Sequence, residues 1–328
     1  MDVLWTLADP LLNTSARTYW VCLLVSAAVA LVVFGVGGVR RLPGILSSRS
    51  SLLDVQLLLA RQLLGAVGMV PVLIGGTAIA VAVARSLGGG LGTPQLAMIV
   101  PSWMVAISYA VAFFVAWDAS RFLLHLAMHR VPALWSIHQV HHSAEVLTPL
   151  TIHRVHPVES FLYAARGAVV TGVLGGVFFW LFGSSIPVTS LAVITGVSLA
   201  LNAVFGNLRH SHVWWRFGRV ERWLISPAQH QLHHADDESF YDVNFGVWLS
   251  VWDRWAGTWV ASPEQAPMRF GLGESRNHED TLVSAWIDPV RDALRTIALK
   301  FGPRALWKTL DPVAMGKRIA RGHVALPD

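Results

Sequence analysis

The stretch HLAMHRVPALWSIHQVHH, residues 125–142, carries five histidines at helical intervals, and its reading decides the fold. His125 and His129 are four residues apart, which on a helix places both rings on one face about 6 Å apart. Two imidazoles so placed can bind one metal. His138 stands three and four residues before His141 and His142. Neighbouring positions on a helix diverge by about 100°, so His141 and His142 can serve two different ions. The same pattern returns as HQLHH, residues 230–234, with His230, His233 and His234.

Twelve of the fourteen histidines fall in two windows, 125–156 and 210–234. A lone histidine in a helix is ordinarily a hydrogen-bonded structural residue. Two copies of H-x-x-H-H beside one H-x-x-x-H are different, because buried imidazoles without a metal leave ring nitrogens in need of partners. Imidazole suits Fe, Zn, Cu and Ni. Eight such ligands exceed what one ion takes, so two ions are expected. The single cysteine, Cys22, lies in an apolar stretch. It excludes a disulfide within the chain and argues against a thiolate zinc site or a cysteine nucleophile.

The chain around these motifs is greasy. Of 328 residues, 54% are hydrophobic and 14% charged, where a soluble domain carries about 25% charged. The mean hydropathy is +0.51. An all-α integral membrane protein is expected, with four to five transmembrane or membrane-embedded helices and a cytoplasmic helical histidine domain. Five stretches qualify: 17–39, 62–84, 96–117, and a shorter pair, 167–183 and 186–205, read as a hairpin. A crossing takes about 20 apolar residues, and helices alone satisfy the backbone there without sheet closure. Arg40, Arg41, Arg49 and Arg61, set against Asp54, place loop 40–61 in the cytoplasm. Both histidine windows then fall on that side, at helix ends. The N-terminal MDVLWTLADPLLNTSAR has no basic region and no clear A-x-A site, so no cleaved leader is expected. The net charge of +5 has no basic stripe of the nucleic-acid kind and reads as membrane topology and lipid contact.

The order H-x3-H, H-x2-HH, then H-x2-HH after an apolar hairpin resembles the fatty acid hydroxylase superfamily, also called the sterol desaturase family. LWSIHQVHHS, TIHRVHPVE, SPAQHQLHH, YDVNFG and VWDRWAGT support the likeness, which covers roughly 96–260. The resemblance implies a membrane-bound, non-haem di-iron enzyme that uses O2 to hydroxylate or desaturate a lipid. It implies as ligands His125 and His129, His138, His141 and His142, and His230, His233 and His234, and it adds His210. His156 matches a recurrent position that is ligand or ligand support, and His212 stands where the family commonly has asparagine. The first box commonly reads H-R-x-x-H; here Leu126 follows the histidine and the arginine is Arg130. Three regions follow: N-terminal transmembrane helices at 1–95, the catalytic domain at 96–260, and a basic amphipathic tail at 261–328.

Several carboxylates stand nearby. Asp118 shares a helical face with His125 and can orient a ligand imidazole; its alternatives are a helix end or a pair with Arg121. Glu159, Asp236, Asp242 and Asn244 are candidates for ligand support or helix capping. Asp253 reads as structural, paired with Arg254 or a backbone N–H. Trp103, Trp117 and Trp135 line a substrate path or form an interfacial belt. Neither a dinucleotide fingerprint nor an H-P-G-G haem signature occurs, and GVGGVRR at 35–41 lacks the glycine spacing. Electrons are therefore expected from a separate ferredoxin, or a cytochrome with its reductase. No G-x-S-x-G appears, which disfavours a serine hydrolase. The rival readings are a metal-ion transporter and a non-catalytic metal-binding membrane protein. In the tail, Arg291, Arg295, Lys300, Arg304, Lys308, Lys317, Arg318 and Arg321 among apolar residues read as a surface anchor or as a helix packed on the domain.

Overall fold

The computed structural model describes residues 11–12, 19–35, 42–94, 96, 99–183, 196–197, 199–267, 269–273 and 281–301. Its main helices are α1 (Trp20–Phe34), α2 (Arg49–Leu91), α3 (Ser102–Arg130), α4 (Pro132–His142), α5 (Pro157–Phe182), α6 (Pro227–His233), α7 (Val251–Ala256) and α8 (Leu282–Phe301). Among the described residues the only β-type pairings are two isolated bridges, Leu224 with Leu249 and Ala235 with Phe270. The described part of the chain is thus all-helical.

α3 and α5 are long and apolar enough to cross a membrane. Only 17% and 22% of their most apolar windows are buried inside the protein, so they are not the packed core helices of a soluble domain. Ile107, Val111, Val115, Val169, Val173 and Phe179 face outward. The expected spans fare unevenly. Stretch 17–39 appears as the 15-residue α1, shorter than a crossing needs. Stretch 62–84 lies within the 43-residue α2, and 167–183 continues a helix that begins at Pro157. Residues 184–195 and 198 lie outside the described residues, so most of the second arm of the hairpin does too. Its visible end passes into a π-helical turn, Asn202–Gly206.

α2 packs along α5 through small residues. A Cβ on Gly172 would stand 2.7 Å from Gly76 O and Ile79 Cβ, and one on Gly176 would stand 2.6 Å from Ala80 O. Backbones this close are what small residues four apart permit between membrane helices. At the other edge, Val105 and Tyr109 of α3 pack with Phe178 and Phe182 of α5.

α3 and α4 meet at Val131, with Pro132 at the first position of α4, where a missing N–H costs nothing. α8 docks by Ala285 on Leu53, Leu57 and Val140. Its opposite side leaves Val283, Ile287, Leu294 and Ile297 exposed. The tail therefore begins as a packed helix that keeps an apolar outer stripe; residues 302–328 lie outside the described residues.

Candidate metal centre

Nine histidines converge in two groups. His125, His129, His138, His142 and His233 form one; His141, His210, His230 and His234 form the other, and within each group the ligand atoms lie within 4.8 Å of one another. Each H-x-x-H-H box divides between them. In α4, His138 and His142 are one turn apart and join the first group, while His141 turns to the second. In α6, His230 and His234 join the second group and His233 the first. The groups abut: the His142 and His234 rings stack with centroids 4.4 Å apart.

The hydrogen bonds fix which nitrogen faces inward. His125 Nδ1 donates to Phe245 O at 2.9 Å, His233 Nδ1 to Val243 O at 2.7 Å and His141 Nδ1 to Arg154 O at 3.2 Å. A carbonyl only accepts, so these rings carry their proton on Nδ1 and present an Nε2 lone pair. The Nε2 atoms of His125 and His233 are 3.1 Å apart. Two facing lone pairs repel unless a cation lies between them. In the second group, His210 Nε2 lies 3.2 Å from those of His141 and His234 and 3.0 Å from that of His230. Two ligands with metal–nitrogen bonds of about 2.1 Å stand roughly 3.0–3.4 Å apart for bond angles between 90° and tetrahedral. His129, His138 and His142 have buried Nε2 atoms without a hydrogen-bond partner. The donor set therefore fits a metal ion in each group.

Burial lowers the pKa of five of the rings. His233 is pushed down to about 3, mainly by burial. His141, His142, His230 and His234 lie well below the usual imidazole value, first through burial and then through neighbouring histidines. They are neutral at pH 7, the state a metal requires.

The supporting residues divide sharply. Glu159, at the start of α5, accepts from His138 Nδ1 at 2.9 Å and is 2% exposed, a carboxylate–histidine pair of the kind that orients metal ligands. Asp242 lies 3.2 Å from His129 Nδ1. Asp118 touches no histidine: it accepts from Trp248 N, Leu249 N and Trp252 Nε1, pinning the segment that leads into α7. Asn244 exchanges two hydrogen bonds with the Val260 backbone. Its φ of 54° is a left-handed conformation that asparagine tolerates, and it sits between the two residues whose carbonyls hold His233 and His125. Asp253 accepts from Phe245 N, Gly246 N and Thr258 Oγ1, each at 2.7 Å, so its partners are backbone N–H groups and a hydroxyl. Asp236 accepts from the Tyr241 hydroxyl.

His156 and His212 stand outside both groups. His156 caps α5 through Nδ1 and reaches Trp286 O through Nε2, which occupies both ring nitrogens. His212 is exposed. Of the three tryptophans, Trp135 packs on His129 and His142, Trp117 stacks on Phe113 under Arg166, and Trp103 faces outward.

Two features escaped the sequence. The backbone carbonyls of Val243, Phe245 and Arg154 orient three ligands, and no residue letter announces a carbonyl. Arg154 is buried, donates to Asp54 Oδ1 at 2.6 Å and reaches Ser50 and Ser143. Asp54 also accepts from Thr151. α2 thereby fixes the segment that holds His141. A cavity of ≈ 390 Å³ opens beside both groups, with His125 and His138 from one and His141, His210 and His230 from the other on its wall.

The nine histidines fall inside the segment that matches a known family. Residues 110–258 match the family model described as fatty acid hydroxylase. Alkylglycerol monooxygenase of Xenopus tropicalis is 27% identical over 159 residues, 48% of this chain and 32% of the relative. Ornithine lipid hydroxylase OlsE of Rhizobium tropici is 25% identical over 173 residues, 52% and 47% respectively. Lathosterol oxidase of Mus musculus is 23% identical over 156 residues, 48% and 46%. The matched region thus spans a third to a half of these relatives' length. No solved structure matches significantly.

Proposed function

We propose that the chain is a membrane-bound, O2-dependent di-iron oxidoreductase that hydroxylates or desaturates a lipid. The observation that carries this reading is the pair of abutting histidine groups with Nε2 lone pairs turned inward. Three relatives named for lipid oxidation support it. Iron would supply the redox chemistry that activates O2 toward a C–H bond. The protein's own part is to hold neutral imidazoles in place, through the carbonyls of Val243, Phe245 and Arg154 and the carboxylate of Glu159. It also excludes water from most of the site, since every clustered histidine except His129 is under a tenth exposed.

In this reading the chain sits in the bilayer by four to five segments, with both groups and the C-terminus in the cytoplasm. The lipid enters from the membrane beside α3 and α5. Electrons come from a separate ferredoxin or cytochrome with its reductase. A transporter would carry its ligands at mid-membrane depth on broken helices, whereas His125 and His129 occupy the last turns of an unbroken α3.

Iron per chain, measured after anaerobic loading of detergent-purified protein with Fe(II), tests the reading. About two irons are expected from two ligand sets. His233→Ala should weaken loading of the five-histidine group alone and His234→Ala that of the four-histidine group alone, with lipid oxidation lost in both. One tightly held zinc that iron cannot replace would sink the proposal.

A further inference from the structure

The cavity beside the histidine groups has a cationic wall that metal binding does not explain. Arg209, Arg121 and Arg61 line it, and Glu159 is its one carboxylate. Arg209 is 1% exposed. Its guanidinium lies over the Trp248 ring at 3.9 Å, yet Nε and Nη2 have no hydrogen-bond partner. Arg121 lies over the Tyr163 ring at 5.0 Å, and its buried Nε is likewise unpartnered. The charged groups that act on Arg209 are Asp118 and a second cation, Arg121. Asp118 is committed to Trp248, Leu249 and Trp252, and Glu159 accepts from His138 and acts by its charge on Arg61. A buried guanidinium with unmade hydrogen bonds is costly, and two arginines side by side add repulsion. A bound anion relieves both. The planar guanidinium fork matches carboxylate and phosphate oxygens.

We propose that this cavity binds an oxyanionic group, carboxylate or phosphate, through Arg209 and Arg121, with Arg61 at its exposed rim. That the oxyanion belongs to the lipid to be oxidised rests on the function proposed above. The site would then seat an anionic headgroup against the cavity wall and leave the adjoining chain beside the histidines. Neutral lipids of equal length would bind poorly.

The test is calorimetric titration of the full chain in a neutral detergent with dodecyl phosphate, dodecanol and inorganic phosphate. Dodecyl phosphate should bind at least about tenfold more tightly than dodecanol, and Arg209→Gln or Arg121→Gln should each abolish most of that preference. Arg209→Lys, which keeps the charge and loses the fork, should recover part of it, and Arg121→Gln serves alone if Arg209→Gln does not fold. Tighter binding of dodecyl phosphate than of inorganic phosphate assigns the oxyanion to a lipid; equal, arginine-dependent binding supports the oxyanion site and assigns it to a free anion. No preference over dodecanol, or a preference that survives both substitutions, overturns the proposal. Each titration is run on iron-loaded and chelator-stripped protein. Arginine-dependent preference in the stripped protein stands even if no lipid is oxidised, which separates this inference from the oxygenase reading.

Discussion

His233 and His234 are adjacent in the chain and belong to different groups, and residues elsewhere decide what each can do. His233 owes its inward lone pair to the carbonyl of Val243. His138 owes its own to Glu159, the clearest supporting carboxylate in the site. Glu159→Gln keeps the size of the side chain and removes its charge. Iron affinity of the five-histidine group should fall about 10–100-fold, the usual cost of losing such a partner, while the four-histidine group loads normally. Stepwise Fe(II) titration resolves the two sites, and unchanged affinity at both would remove Glu159 from the role. The clustered histidines other than His210 were legible in the sequence because i, i+3 and i, i+4 spacing on a helix converts directly into a shared face. Asp118 was legible as a nearby carboxylate but not as a backbone clamp, since which N–H groups reach it depends on a segment 130 residues away.

At the scale of elements, α2 is the strut. Its first turns hold Asp54 against Arg154, and through the Arg154 carbonyl they reach His141. Further along, it lies against Gly172 and Gly176 of α5. Gly172→Leu has no room, since even a Cβ meets backbone oxygen there, and should cost about 1–3 kcal/mol or more as overpacking. Gly175, in the same helix, has only Ala80 Cβ near, at 4.0 Å, so Gly175→Ala should be tolerated. Thermal unfolding of both variants in detergent provides the comparison; equal melting points would show that the α2–α5 contact does not need its small residues. The apolar stretch behind each helix was readable from hydropathy. The helix ends were not: α2 extends far beyond 62–84 and α5 begins ten residues before 167. Capping and polar tertiary contacts carry a helix past its greasy segment.

At the scale of the whole molecule, burying so many neutral imidazoles couples folding to pH. His233 has a folded pKa of about 3 against the usual 6.5, and its neighbours shift the same way. The unfolded chain therefore binds more protons between these values, so stability falls with acidity. The contribution is fully present above about pH 6.5 and is lost as pH falls toward about 3. Metal-free protein should melt at a lower temperature at pH 5 than at pH 8, and bound iron should be released over the same descent, because protons compete for Nε2. A melting point independent of pH across this range would mean the rings are not buried as a cluster.

The sequence by itself determined the helical class and the apolar helices, and it set out eight of the nine clustered histidines, because these follow from composition and from spacing within each helix; His210 entered through the family resemblance. Tertiary structure alone decided which carbonyls orient the rings, that Asp54 and Arg154 tie α2 to the site, and that Arg209 and Arg121, each with an unpartnered buried donor, line the cavity. Those contacts join residues a hundred or more positions apart, or depend on burial. A backbone carbonyl or a buried charge acquires its role only when the chain has brought its neighbours to it.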